Sequence, residues 1–187
     1  MALDDTIATG RDMSIEEKIA DLGLELPNLE AEYAQNKAGA SFISHYAVGN
    51  VLYLSGTVPK KGGQPHLTGL LCQDLTVDQG YEAARYAALT SLSAAKFALG
   101  ELDRIQRVLH VLGFVNSAPG FCDQPRVING CTDLLVELFG AAGKPTRAAI
   151  GCQGLAANHS VEVVFTLLFD GGEIRAPLER DQAGRGQ

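Results

Sequence analysis

Between Val77 and Leu99 small and apolar residues recur at helical spacing, with Ala83, Ala84, Ala87, Ala88, Leu92, Ala95 and Leu99 on one stripe. Thr76 stands three residues ahead of Gln79, the spacing of a capping box, and Gly100 offers a residue to end the helix. So many alanines on one stripe predict a helix lying close against a sheet. A second helical stripe, Val127, Leu134, Leu135, Leu138 and Phe139, follows Asp123 as N-cap and Pro125 in the first turn, and closes at Gly140. Ser14 and Glu17 form a further capping-box pair, predicting a short helix over 14–23. Strand character appears in Val51–Leu54, running into Ser55-Gly56 with Pro59 beyond, and in 105–115, where Gly113 is expected to interrupt. It returns near 145–152 and over 160–169, while 60–69, KKGGQPHLTG, is turn chemistry. The order strands, helix, strand, helix, strands predicts an α+β domain with two long helices packed on one face of a mixed sheet.

The folded unit is expected over 13–170. Residues 1–12 are polar and unpatterned, and 171–187 are glycine-rich, charged and aperiodic, so both are expected to be loose tails. Met1 and Met13 are both available as starts. The 187 residues correspond to one domain plus tails at roughly 150 residues per domain.

Composition narrows the function. Forty-six per cent hydrophobic residues supply a core, and a net charge of −7 disfavours nucleic-acid binding, which needs concentrated basic surface. No apolar run reaches the ~18 residues of a membrane helix, and the N-terminus lacks an apolar signal core. Cys72, Cys122, Cys131 and Cys152 form no C-x-x-C pair and no zinc spacing with the histidines, so reduced thiols in a cytoplasmic protein without bound metal are expected. The sequon at Asn158 has no secretory signal to serve it.

Nucleotide-binding, metalloprotease and serine-hydrolase motifs are missing, and His45, His66, His110 and His159 are scattered. The last strand is more informative. Glu162 is the only charge in 160–169, whose apolar residues fall on both faces. A carboxylate there must be paired, hydrogen-bonded or protonated. Arg147, fifteen residues earlier, is the only charge between Lys144 and Glu162. If the two strands are neighbours, the pair meets at one end of the sheet, as a structural ion pair or as a ligand site. Arginine suits a carboxylate through its planar fork, and a partly dry glutamate suits proton transfer to a bound water.

The block VGNVLYLSGTVP (48–59), the run around VLGFVNSAPGF, and Pro145-Thr146-Arg147 followed by Glu162 resemble the Rid family of YjgF-type reactive intermediate deaminases. The resemblance covers about residues 38–170, and the helix 14–23 with the segment around NSAPGF places it in a longer Rid-like branch. It implies a chorismate-mutase-like fold and a homotrimer with ligand clefts between subunits. It also implies a cofactor-free hydrolase that converts 2-enamino or 2-imino acids to 2-oxo acids and ammonia. Arg147 then anchors the substrate carboxylate and Glu162 supports the attacking water. Ser55 and Gly56 line the cleft, with Asn129 nearby. Three positions depart from the deaminase branch: Ala149 replaces a cysteine, Leu155-Ala156 replaces Leu-Pro, and Phe42 stands where a tyrosine is usual. A small-carboxylate-binding regulatory trimer without turnover is the alternative. Ribonuclease activity, attached to some relatives, is disfavoured by the acidic balance.

Overall fold

Two capping boxes set the helix starts. Ser14 Oγ accepts from the Glu17 N–H at 3.2 Å, and the Glu17 carboxylate accepts from the Ser14 N–H at 2.7 Å, so α1 (Ile15–Asp21) begins where predicted. Thr76 and Gln79 repeat the arrangement at α3 (Val77–Leu99). Between them lies α2 (Leu29–Gln35), too short for its spacing to stand out. Asp123 sits at the N-cap of α4 (Gln124–Phe139) without a capping bond; its carboxylate lies 3.7 Å from Arg126 instead. The computed structural model describes residues 13–35 and 41–179, so the predicted N-terminal tail and the end of the C-terminal one lie outside the described residues.

The strands are β1 (His45–Val48), β2 (Val51–Leu54), β3 (Lys60–Lys61), β4 (Gln64–Pro65), β5 (Ile105–Asn116), β6 (Thr146–Cys152) and β7 (Val161–Phe169). Five of them form a mixed sheet in the order β1-β2-β7-β5-β6, and β3 and β4 form a separate hairpin. Only β5 and β6 run parallel, with α4 as the crossover between them. The predicted α+β architecture, two long helices on one face of a mixed sheet, is what the chain adopts.

Alternation along the strands separates two faces. Val111, Val115, Val161, Val163, Phe165 and Leu167 are fully buried under α3 and α4. The opposite face is open and largely apolar: Tyr46, Val48, Tyr53 and Ile150 are 61%, 60%, 49% and 45% exposed. The expected break at Gly113 does not occur, because β5 runs through it. A β-carbon there would stand 2.6 Å from Ile128 Cδ1, so the glycine seats α4 on the strand.

The two long helices touch at Gly130, where a β-carbon would fall 1.9 Å from the Tyr81 carbonyl oxygen. Tyr81–Asp133 and Arg85–Glu137 bonds flank the crossing. Gly130→Ala is expected to destabilise the fold by about 1–3 kcal/mol, because backbone has to move to admit one methyl group. Chemical denaturation checks this. Unchanged stability would mean the helices do not approach so closely.

The loose tail expected from Gly171 is corrected over 171–179. The Ser44 N–H donates to the Leu178 carbonyl at 3.0 Å, the Arg175 N–H donates to the Ala98 carbonyl at 2.8 Å, and Ile43 bridges Glu179. Backbone bonds and the side chains of Ser44 and His45 hold this segment, with Ile174 and Leu178 against the core, and hydropathy spacing does not register such scattered contacts. Among the described residues no helix is long and apolar enough to cross a membrane.

Candidate functional site

β5 lies between β6 and β7, so the strands of Arg147 and Glu162 are not neighbours. Arg147 is in register with Val111, which faces the helices, and Glu162 is in register with Phe114, which faces the open side. The expected meeting of the pair at one end of the sheet is therefore overturned within a single chain. From sheet spacings their Cα atoms are roughly 14 Å apart, on opposite faces. Among the described residues they form no ion pair, so the two do not brace the fold of a single chain.

Each residue instead has its own setting. Arg147 Nη1 donates to Asn129 Oδ1 at 2.8 Å and to Thr132 Oγ1 at 3.1 Å. Asn129 and Thr132 stand three residues apart on α4 and so face the same way. Nε and Nη2 have no hydrogen-bond partner among the described residues, so part of the guanidinium fork stays available. Ala149 lies two residues along β6 on the same face. Thr132 was missed in the sequence; the clue was its i+3 spacing from Asn129. Nearby Cys131 is fully buried, and burial outweighs the attraction of Arg147 and pushes its thiol up, out of reactive range.

Glu162 is half-buried, and desolvation raises its carboxyl above the ordinary 4.5. Gly56 covers it: a β-carbon at 56 would stand 2.1 Å from Glu162 Oε1. That approach is held by Thr57, which exchanges two backbone bonds of 2.9 Å with Val163. Ser55 is not free to face a ligand through its expected donors. Its hydroxyl donates to the Ile43 carbonyl at 2.6 Å and its N–H to the Ser44 carbonyl at 3.0 Å. The Gly56 N–H has no partner among the described residues. Phe42, 44% exposed, immediately precedes Ile43.

The chain thus carries two half-sites. One is a braced guanidinium with Asn129, Thr132 and Ala149; the other is a partly dry carboxyl with Gly56, and with Ser55 and Phe42 beside it. No group of three His, Cys, Asp or Glu residues among the described ones is placed to hold a metal ion.

A model of the family described as "YjgF/chorismate mutase-like, putative endoribonuclease" matches residues 16–168. The chain belongs to the YjgF family. Protein TCP17 of Trypanosoma cruzi is 37% identical over 158 residues, spanning 84% of this chain and 93% of that protein. The crystal structure of Atu1372 from Agrobacterium tumefaciens, described as of unknown function, matches at 36% identity and a TM-score of 0.76, covering 83% of this chain and 92% of that one. A crystal structure from Shewanella oneidensis named a "putative endoribonuclease" matches at 30% identity and a TM-score of 0.77, covering 84% of this chain and 100% of that one. The YjgF match takes in both half-sites and ends before the docked segment 171–179.

Proposed function

We propose that this YjgF-family protein is a cytoplasmic, cofactor-free deaminase that hydrolyses 2-enamino and 2-imino carboxylic acids in clefts between the subunits of a homotrimer. The observation that carries this reading is the division of Arg147 and Glu162 between opposite faces of one sheet. A small ligand touching both needs the Arg147 half of one copy and the Glu162 half of another. The open apolar face offers the surface for that contact.

In the cleft, Nε and Nη2 of Arg147 grip the substrate carboxylate while Asn129 and Thr132 hold the guanidinium in place. The Gly56 N–H donates a further bond. An enamine first takes a proton at C3 and becomes the iminium ion, the protonated form of the imine. Glu162 then removes a proton from water as the water oxygen bonds to the imine carbon, and the π electrons move to nitrogen. The tetrahedral adduct collapses as Glu162 returns that proton to nitrogen and takes up the proton of the new hydroxyl, whose electrons close the carbonyl. The C–N bond breaks, and ammonia leaves with a 2-oxo acid behind. A carboxyl raised by burial suits this exchange better than an ordinary one. Ala149 and Phe42 supply carbon where a thiol and a hydroxyl are usual in the deaminase branch.

The ribonuclease named for relatives is not favoured. A strand of RNA needs a basic track, and the net charge here is −7. The experiment is a panel of imino acids, generated freshly by an amino-acid oxidase, with ammonia and 2-oxo acid measured. Release well above the spontaneous rate is expected. Binding of a 2-oxo acid without any such release would point to the carboxylate-binding regulatory trimer instead. Light scattering is expected to give about 60 kDa, three copies of 19.8 kDa. A stable monomer at micromolar concentration would remove the shared cleft.

A further inference from the structure

The segment after the family match closes on the backbone that leads to the Glu162 half-site. Ser44 is the clasp. Its N–H donates to the Leu178 carbonyl, and its Oγ accepts from the Leu178 N–H at 2.9 Å. The same hydroxyl lies 2.8 Å from His45 Nδ1, and His45 Nε2 lies 3.0 Å from the Arg175 carbonyl. One proton arrangement serves every partner. Ser44 gives its hydroxyl proton to Nδ1, and Nε2–H donates to the carbonyl, so the ring is neutral. Phe97 of α3 backs the clasp, with the edge of its ring pair against His45 at 6.0 Å and the Arg175 guanidinium 5.5 Å from its centroid. Ser44 and His45 are only 2% exposed, so these polar groups have no water to fall back on.

The clasp connects to the site through two bonds. The Ser55 N–H donates to the Ser44 carbonyl, and the Ser55 hydroxyl to the Ile43 carbonyl. Ser55 leads into Gly56, which rests against the Glu162 carboxyl. We infer that residues 174–179 form a positioning strap, which through Ser44 and His45 fixes the Ser55-Gly56 backbone over Glu162 and sets the geometry of the proposed deaminase site. Neither Ser44 nor His45 touches substrate in this scheme. The catalytic part of the inference rests on the deaminase reading; the structural part does not.

Two variants test it: Ser44→Ala, which removes the shared hydroxyl, and the chain ended after Asp170, which removes the strap. Hydrogen exchange is followed at the Ser55 amide, with the Val163 amide as a reference in the sheet, and imino-acid turnover is measured in parallel. Exchange at Ser55 is expected to quicken at least about tenfold in both variants while Val163 stays protected. Turnover is expected to fall about tenfold in kcat with little change in KM, because an anchored substrate meets a displaced backbone. Unchanged Ser55 exchange in the shortened chain would overturn the strap. Quickened exchange with unchanged kcat would overturn its positioning role. If the full chain shows no turnover at all while exchange responds as expected, the strap stands and the deaminase reading fails.

Discussion

Glu162→Gln is expected to lose turnover by about 10²–10⁴-fold while the protein becomes harder to unfold at neutral pH. Both effects follow from one fact, the partial burial of a carboxyl against Gly56. Glutamine keeps the size and the hydrogen bonding but cannot carry a proton from water to nitrogen. The stability effect follows from linkage. A carboxyl whose folded-state pKa is raised contributes stability that is fully present below its unfolded pKa and is lost as pH rises through the folded value. At pH 7 to 8 the native protein therefore bears the cost of an ionised, half-buried group, and the glutamine variant does not. Thermal melts of the two proteins should separate as pH rises above about 4.5 and converge as it falls to about pH 4, where glutamic acid is largely protonated in both states. Melts that stay separated at pH 4 would show that packing, not ionisation, distinguishes the variants. Full turnover in Glu162→Gln would end the acid–base role.

Arg147→Lys is the second large effect. Lysine keeps the charge but has no planar fork, so it cannot bond Asn129 and Thr132 on one side and a carboxylate on the other. Loss of a charge-assisted contact costs about 1.5–3 kcal/mol, roughly ten- to 150-fold in affinity for a 2-oxo acid and in kcat/KM. Calorimetric titration measures the first and steady-state turnover the second. The melting temperature should change little, because Arg147 braces on side-chain oxygens of α4 and neutralises no buried carboxylate. Unchanged affinity in a folded Arg147→Lys protein would end the ligand-binding role.

The sequence made the helices and the buried strands legible because each is written locally. Capping pairs lie three residues apart, and α3, α4 and β7 repeat their pattern over many turns or pleats. β1 and α2 are as short as β2 and α1 but lack the run of strand formers and the capping box that mark those two. Gly113 looked like a break because the residue that fills its space, Ile128, is fifteen positions away on α4. Arg147 and Glu162 stand out by charge, but their geometry does not. The position of β5 between β6 and β7 is a matter of pairing partners, and one residue's difference in register parity decides which face a side chain takes. Ser55 stands out as a candidate cleft residue, but its hydroxyl and N–H are taken by the Ile43 and Ser44 carbonyls, contacts that no local pattern announces. Resemblance to the Rid family reached the superfamily correctly because it drew on an ordered set of positions and not on any one of them.

The place of β7 in the middle of the sheet governs how the protein can be made. It is the last of the described strands to be synthesised, yet it pairs with β2 on one side and β5 on the other. Until residue 169 has left the ribosome, the first hairpin and the β5–α4–β6 unit have no strand between them. Both β2 and β5 then present unpaired edges flanked by apolar residues, the kind of edge that recruits other chains. Nascent chains therefore stay unfinished for almost their whole synthesis. A product cut short before Val161 carries every described helix and still has no means of closing the sheet.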